Sequence, residues 1–246
     1  MKQKIMKGVY RVIRWLVWLF YPEFTVEGVE NLPQEPCLVV GNHSQLHGPV
    51  ACELYFPGNR YTWCDGRMMH LKEVPDYAFQ DFWSEKPGWC RWFFRILSYI
   101  IAPLSVCIFN NARTIGVYRD NRILTTFKTT LRRLKEGANV IVFPECGEPG
   151  NHIVYKFQEN FTDIARLYYK QTGKALPFVP LYIAPALHKM YIGKPVYYNK
   201  DIPMDQQRAM LCDALTQAIT QQAMSLPRHR VVPYPNIPRS RQGTNL

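Results

Sequence analysis

The sequence predicts a single α/β domain with a mostly parallel or mixed central sheet covered by helices. Two observations predict this fold class. Short apolar runs typical of buried strands alternate along the chain with longer amphipathic segments typical of helices, and this alternation favours strand–helix–strand units. In addition, the 246 residues contain no internal repeat and no Gly/Ser-rich linker, so we expect one domain rather than several.

The first predicted element is an amphipathic helix over residues 1–22, which we expect to lie in a membrane interface. Four basic residues, spaced three, four and three apart, share one stripe of this helix: Lys4, Lys7, Arg11 and Arg14. The remaining surface is apolar and includes Trp15 and Trp18, a residue type enriched at bilayer interfaces. Its uninterrupted apolar stretch is too short to span a bilayer. The alternative is a helix packed on the protein's own core with its cations in water.

The strands and helices of the domain are expected within residues 23–226. Strands are predicted from short apolar runs bounded by turn residues, at 36–43, 60–65, 113–120, 139–145, 176–185 and 189–199. Helices are predicted from Pro49, which suits a first helical turn, and over 121–137, 157–173 and 204–226.

The helix over 121–137 has the clearest pattern. Its apolar residues recur at helical spacing, at Ile123, Leu124, Phe127, Leu131 and Leu134, and Gly137 marks its end.

Two further segments are less regular. Residues 96–109 form a run of 14 uncharged residues, shorter than the roughly 20 that a spanning helix needs, so a buried or partly inserted segment is expected there. Pro103 is expected to break or kink a helix in this run. The tail over 227–246 is basic and Pro-rich and is predicted to be extended or partly disordered.

The composition limits the classes of partner. The net charge of +11 favours an acidic partner, which leaves nucleic acid, anionic lipid and phosphorylated substrates. The basic residues accompany apolar helices rather than an aromatic stacking platform, so no nucleic-acid partner is expected. The seven cysteines include no CxxC pair, which argues for a reducing compartment and against a disulfide framework. No His/Cys/Asp cluster has metal-ligand spacing, so no metal is expected.

Polar residues follow three of the predicted strands, at Asn42 and His43, at Arg119 and Asp120, and at Glu145. Ligands of α/β proteins collect at the carboxyl ends of strands, so a site is expected there. A histidine at such a position is suited to accept a proton from an attacking hydroxyl. The alternative is a capping or hydrogen-bonded core histidine.

The other candidate groups also have structural alternatives. Arg113 and Arg119 suit a phosphate through bidentate hydrogen bonds, or they form a surface cluster in which Arg119 pairs with Asp120. A nucleophilic Cys146 paired with His152 is disfavoured, because nothing local marks the thiol as activated.

Residues 36–200 resemble the glycerolipid acyltransferases of the lysophosphatidate type. The blocks that carry the resemblance are Asn42-His43, Arg119, Phe143-Pro144-Glu145 and Val179-Pro180, in the family's order and rough spacing. The resemblance implies transfer of an acyl chain from acyl-CoA or acyl-carrier protein to the hydroxyl of a lysophospholipid, without a cofactor. It implies that His43 is the general base and that Arg119, with Arg113, binds the acceptor's phosphate.

The resemblance also implies that the Phe143-Pro144-Glu145 block helps to hold the acceptor's polar head, and we expect Glu145 to be a catalytic residue that helps to position the acceptor or His43. Other residues are expected to support the site: Asn42, His47, Gly48, Pro144, Cys146 and Gly147. Backbone N–H groups near Gly48 or Gly147 are candidates for stabilising a tetrahedral oxyanion.

One departure from the family pattern bears on the chemistry. The family's aspartate that steadies the histidine corresponds here to Gly48, and loss of such a carboxylate can cost ~10⁴ in rate. The candidates to replace it are His47, Glu53, Glu145 and Glu148. Further departures are Cys146 in place of a glycine, the absence of the usual Arg-Ser after that block, and Glu159 near an expected glycine.

Two functions are therefore open. The first is a divergent but active acyltransferase on the cytoplasmic face of the membrane, with membrane lipids and a lysophospholipid as partners. The second is a catalytically silent lipid-binding protein of the same fold.

Overall fold

The computed structural model describes residues 2–84 and 86–246 and shows an α/β protein. The strands in these residues are β1 (Thr25–Glu27), β2 (Leu38–Gly41), β3 (Arg60–Asp65), β4 (Thr114–Val117), β5 (Asn139–Val142), β6 (Pro177–Ala184), β7 (Lys189–Ile192) and β8 (Val196–Tyr197). The α-helices are α1 (Lys2–Phe20), α2 (His47–Tyr55), α3 (Val74–Ala78), α4 (Arg91–Asn111), α5 (Ile123–Lys135), α6 (Asp163–Thr172) and α7 (Met204–Met224). The α/β class, the mixed central sheet and the N-terminal helix are thus confirmed.

The chain divides into two compact units. The first unit contains the residues up to 21 together with 62–129, and the second contains residues 22–61 and 130–246. The domain limits expected at residues 22/23 and 226/227 stay a prediction.

The second unit is built on a mixed sheet with strand order β1-β7-β6-β2-β5. Strand β2 is parallel to both β5 and β6, whereas β6 is antiparallel to β7 and to β8. All residues of β2 and of β6 are buried, as expected for apolar strands at the centre of a covered sheet. Val179 and Pro180 of β6 lie beside Val39 and Val40 of β2, so this block of the sequence belongs to the core.

The first unit contains the parallel pair β3–β4 and the helices α1, α3 and α4. Helix α1 lies along α4, where the Cys107 thiol donates to the carbonyl of Met6. Val74, Ala78 and Ala102 form a fully buried apolar cluster between α3 and α4. On α1 most apolar side chains remain exposed, including Trp15 and Trp18.

Helix α4 corrects the expectation for residues 96–109. It runs without interruption from Arg91 to Asn111 with Pro103 inside it, so Pro103 does not break the helix. The neighbouring Ala102 is buried in the apolar cluster with α3, and the alternative expectation of a kink at Pro103 stays a prediction. Counted from Gly88, the helix is long and apolar enough to cross a membrane by length and composition alone, and only 22% of its most apolar window is buried.

Helix α5 differs from its predicted pattern in one residue. Leu131 and Leu134 are buried as expected, but Leu124 is exposed, and the polar Thr126 and Thr130 are buried on the same helix. Gly137 ends the segment with φ of 84°, a left-handed conformation that glycine adopts without a steric penalty.

The tail over 227–246 is extended as predicted, but it is folded against the second unit rather than disordered. Arg230 forms an antiparallel bridge with Thr244. The side chain of Asn245 is fully buried and donates to the carbonyls of Ala223 and Leu226 at 2.8 and 3.2 Å. These contacts are distant in sequence, so composition alone did not reveal them.

Candidate functional site

The candidate site begins where β2 ends, and Asn42 fixes that end. Its Oδ1 accepts from the backbone N–H of Ile183 at 2.7 Å, and its Nδ2 donates to the Ile183 carbonyl at 2.9 Å and to Ser44 Oγ at 2.7 Å. Asn42 therefore clamps the turn after β2 to strand β6. Both ends of its amide are used in this clamp.

The turn after His43 has an unusual backbone. Ser44 and Gln45 have φ values of 47° and 57°, in the left-handed region that costs non-glycine residues roughly 1–2 kcal/mol each. The turn closes when the N–H of Gly48 donates to the carbonyl of His43 at 3.0 Å. This bond uses the N–H of Gly48 itself, and an oxyanion role for backbone N–H groups near Gly48 stays a prediction.

Gly48 is also confined by its neighbours. A Cβ at this position would lie 2.5 Å from the carbonyl oxygen of His43 and 3.0 Å from Cε1 of Phe143. The first distance is well below van der Waals contact. An aspartate side chain at this position would therefore require the turn to shift.

Glu145 holds the backbone of His43. Because β2 and β5 are adjacent and parallel, with Val40 beside Val142, the residues that follow the two strands meet. One carboxylate oxygen of Glu145 accepts from the His43 backbone N–H at 2.5 Å, and the other accepts from the Tyr155 backbone N–H at 2.8 Å. Glu145 thus contacts the backbone of His43 and not its ring, and its role in positioning the acceptor or His43 stays a prediction.

Glu145 is a deeply buried acid. Its side chain is 3% exposed, and burial raises its pKa to about 7, against the effect of the two backbone N–H donors. The protonation state of this carboxyl group therefore changes with small changes in pH near neutrality.

The His43 ring is half-buried and contacts two aromatic rings. The centroid of Phe143 is 5.3 Å away at an interplanar angle of 71°, and that of Tyr234 is 5.5 Å away at 87°. Both arrangements are edge-to-face, a favourable geometry for aromatic pairs. The ring nitrogen Nδ1 is buried and has no hydrogen-bond partner among the described residues.

Burial also sets the protonation state of His43. It lowers the pKa of the imidazole, and a contact with the Gln45 backbone, outside hydrogen-bond geometry, acts weakly in the opposite direction. The ring is thus neutral at neutral pH, which is the form that accepts a proton.

No candidate replacement for the family's aspartate is hydrogen-bonded to this ring in the described residues. Glu145 binds backbone, Glu148 pairs with Lys156 at 3.1 Å, and Glu53 lies 3.8 Å from Arg60. His47 donates through its backbone to Ser44 at the start of α2. Burial, with Arg230 and His188 nearby, lowers the pKa of His47.

The loop after β5 folds back on itself. The Pro144 carbonyl accepts from the N–H of Gln158, and the Cys146 N–H donates to the Lys156 carbonyl, each at 2.9 Å. A side chain at Gly147 would meet nothing within 4 Å. This loop carries Tyr155 to Glu145, and an oxyanion role for Gly147 stays a prediction.

The two predicted phosphate-binding arginines belong to the first unit. Arg119 is exposed just after β4, and Arg113 has φ of 51° with its carbonyl accepting from the Thr62 N–H. The exposed Asp120 pairs with Arg122 at 2.8 Å rather than with Arg119, the partner given to it in the surface-cluster alternative. That Arg113 and Arg119 belong to the same site as His43 stays a prediction.

Sequence reasoning missed two aromatic residues of the site. Tyr234, from the tail, contacts the His43 ring, and Tyr155 lies 6.2 Å from Tyr234 between ring centroids. Neither residue stands in a motif or at a strand end. Only the path of the folded tail brings Tyr234 to the histidine.

Of the comparisons with known proteins, the one with solved structures gives matches. No protein-family model matches the sequence, and a search of curated proteins gives no match. Among solved structures, the chain is similar to the 1-acyl-sn-glycerophosphate (LPA) acyltransferase PlsC from Thermotoga maritima. The two sequences are 17% identical, the TM-score is 0.48, and the alignment covers 92% of this chain and 85% of PlsC.

Proposed function

We propose that the protein is a membrane-associated O-acyltransferase that moves a fatty acyl chain from acyl-CoA or acyl-carrier protein to the hydroxyl of a lysophospholipid. The observation that carries the proposal is the joining of His43 and Glu145. They follow adjacent parallel strands, Glu145 fixes the His43 backbone, and burial keeps the half-buried imidazole neutral. A neutral, fixed imidazole at the carboxyl edge of a sheet is suited to general-base catalysis.

The proposed step is proton-coupled acyl transfer. Because Nδ1 of His43 is buried, Nε2 is the nitrogen that accepts the proton of the acceptor hydroxyl. The hydroxyl oxygen forms a bond to the thioester carbonyl carbon, which gives a tetrahedral oxyanion. The C–S bond then breaks, and the proton passes from the imidazolium to the departing thiolate.

The surface of the first unit supports a membrane location for this chemistry. Helices α1 and α4 expose large apolar side chains over much of their length, including Trp18, Phe20, Trp92 and Ile100. Lys4, Lys7 and Arg11 of α1 are exposed beside them. Exposed apolar and basic groups on one helix match the interface of an anionic bilayer better than they match water. We place the enzyme on the cytoplasmic face, where it would meet cytosolic acyl thioesters.

The acceptor's phosphate is assigned to Arg119 and Arg113. The positive net charge of +11 favours an anionic acceptor, and the arginine fork suits a phosphate ester. This assignment makes the acceptor a lysophosphatidate-like lipid, used in phospholipid synthesis or remodelling.

A second function has a specific observation in its favour. His43 Nδ1 lacks a hydrogen-bond partner in the described residues, and Gly48 leaves no room for the carboxylate that would supply one. A catalytically silent lipid-binding protein of this fold would tolerate both features. It would bind lysophospholipid and release no thiol from a thioester.

One assay separates the two functions. Purified protein in detergent or liposomes is given labelled acyl-CoA or acyl-carrier protein with a panel of lysophospholipids, and products are identified by mass spectrometry. Heat-denatured protein is the blank, and vesicle binding is measured on the same preparation. Acylation of at least one acceptor supports the enzyme, whereas vesicle binding without acylation of any acceptor supports the silent protein.

A further inference from the structure

The tail over 227–246 is held firmly enough to form part of the site. The buried His229 ring contacts the Pro227 carbonyl through Nδ1 and the hydroxyl of Tyr182 through Nε2, each at 2.7 Å. Its backbone N–H donates to Oδ1 of Asn245 at 2.7 Å. These bonds tie both ends of the tail to the second unit.

Between these anchors the tail contacts the turn that carries the histidine. Gln45 Nε2 donates to the Pro235 carbonyl at 3.1 Å. The half-buried ring of Tyr234 meets the His43 ring edge-on at 5.5 Å between centroids. The tail therefore touches the side chain of His43 and the side chain of Gln45, a residue whose own backbone is left-handed.

Four residues, Glu145, His43, Tyr155 and Tyr234, form a closed series of contacts. Glu145 bonds the backbone of His43 and of Tyr155, Tyr155 packs on Tyr234, and Tyr234 packs on the His43 ring. These contacts join the turn after β2, the loop after β5 and the tail. The Glu145 carboxylate holds the backbone of His43, and Tyr234 contacts its ring.

We propose that Tyr234 is a positioning residue that holds the His43 imidazole in place of the absent ring-bonded carboxylate. This role rests on the proposed acyl transfer. The aromatic rings of Phe143 and Tyr234 contact the His43 imidazole and restrict its rotation. They thereby keep Nδ1 buried and direct Nε2 to the acceptor.

The test compares Tyr234→Ala, Tyr234→Phe and the control Tyr197→Ala, whose tyrosine is 49% exposed elsewhere on the second unit. Histidine labelled with ¹³C and ¹⁵N reports the tautomer and mobility of His43 in micelles, and loss of its signals in His43→Gln assigns them. Acyl-transfer kinetics are measured on the same proteins, and circular dichroism checks that each is folded.

The expected results differ between the variants. Tyr234→Ala changes the tautomer ratio of His43 and lowers kcat about tenfold with little change in KM, the scale of one lost aromatic contact. Tyr234→Phe and Tyr197→Ala retain the wild-type His43 signals and a kcat within about twofold of wild type.

Unchanged His43 signals in a folded Tyr234→Ala overturn the proposal, as does a Tyr234→Phe variant that behaves like Tyr234→Ala. The spectra are independent of activity. If the wild-type protein transfers no acyl chain, the proposed function fails, and the His43 signals still decide whether Tyr234 positions the ring.

Discussion

Glu145 bridges two backbone N–H groups with its two carboxylate oxygens, and this sets its contribution to stability. The groups belong to His43 and Tyr155. A glutamine would offer one oxygen acceptor and one N–H₂ donor, so one of the backbone N–H groups would face another donor. An unpaired buried donor costs about 1–3 kcal/mol.

The pH dependence of Glu145→Gln follows from the pKa of the acid. In the folded protein burial raises the pKa of Glu145 from its usual 4.5 to about 7. Between these values the folded state holds a proton that the unfolded state has lost, so the stabilisation from this group is complete below pH 4.5 and is lost as pH rises through 7. The wild type therefore loses stability relative to Glu145→Gln as pH rises. The difference in the free energy of unfolding, wild type minus Glu145→Gln, should decrease by on the order of 3 kcal/mol from pH 5 to 8.

Urea unfolding at several pH values measures that gap. Glu148→Gln is the control, because Glu148 is an exposed partner of Lys156 and should show no such trend. A gap for Glu145→Gln that widens with pH would contradict the burial of a protonated acid at this position.

Gly48→Ala should destabilise the protein. The added Cβ would meet the His43 carbonyl oxygen at 2.5 Å, and the turn must shift to accept it, at a cost of about 1–3 kcal/mol. The matched control is Gly147→Ala, where a Cβ meets nothing within 4 Å and the change should stay within about 0.5 kcal/mol. Thermal unfolding of both variants checks the expectation, and equal stabilities would show that the turn adapts freely.

For single residues, the sequence indicated that His43 and Glu145 would lie close together, but it did not indicate the contact of Tyr234 with His43. His43 and Glu145 each follow a strongly apolar run, and the parallel pairing of those runs brings them together. Tyr234 lies 191 residues further along the chain than His43, in a tail without a periodic pattern. Its contact depends on tertiary packing that no local signal encodes.

Among the secondary-structure elements, helix α1 provides the clearest test of the membrane proposal. Each Lys or Arg near an anionic bilayer contributes about 1 kcal/mol to binding. Replacing Lys4, Lys7 and Arg11 by glutamate should therefore weaken binding to anionic vesicles by at least about 100-fold.

The control changes the same total charge elsewhere. Lys170, Lys174 and Lys194 are exposed in the second unit, and their replacement by glutamate should weaken vesicle binding far less. Vesicle sedimentation measures both triple variants. Equal losses would show that net charge, and not helix α1, governs binding.

The tail is a second element whose role can be tested by stability. Asn245→Ala removes the acceptor for the His229 N–H and the donor to the Ala223 carbonyl, which should cost about 1–3 kcal/mol. The rate of amide hydrogen exchange across residues 227–246 should also increase in Asn245→Ala. The exposed Asn236 gives the control Asn236→Ala, and unaltered exchange in Asn245→Ala would mean that other contacts hold the tail.

The accuracy of the element predictions follows the strength of the apolar pattern. Runs such as 139–145 and 176–185 gave β5 and β6, because buried strands need continuous apolar side chains. Strand β1 has three residues and helix α3 has five, too few to show a period. Helix α4 continues through Pro103, so the expected break there was wrong, because a proline signal is local and does not show that the flanking Ala102 packs in a buried cluster.

For the whole molecule, the strand order explains why a site forms where it does. The parallel strands β5, β2 and β6 end on one edge of the sheet in the second unit, and Glu145, His43 and the Asn42 clamp follow from that arrangement. Alternation of strands and helices predicted this edge from the sequence. The contact between the turn after β2 and a tail more than 180 residues away in the chain was not predictable, because it depends on the complete fold.

The most direct test of the central claim is the ratio of kcat/KM for acyl transfer between wild type and His43→Ala, measured by thiol release from the acyl donor. A general base contributes about 10²–10⁴ in rate, so His43→Ala should be slower by that factor while folding and vesicle binding are retained. His152→Ala, which changes an exposed histidine of the same unit, should retain the wild-type rate. A His43→Ala protein as active as wild type would contradict the account.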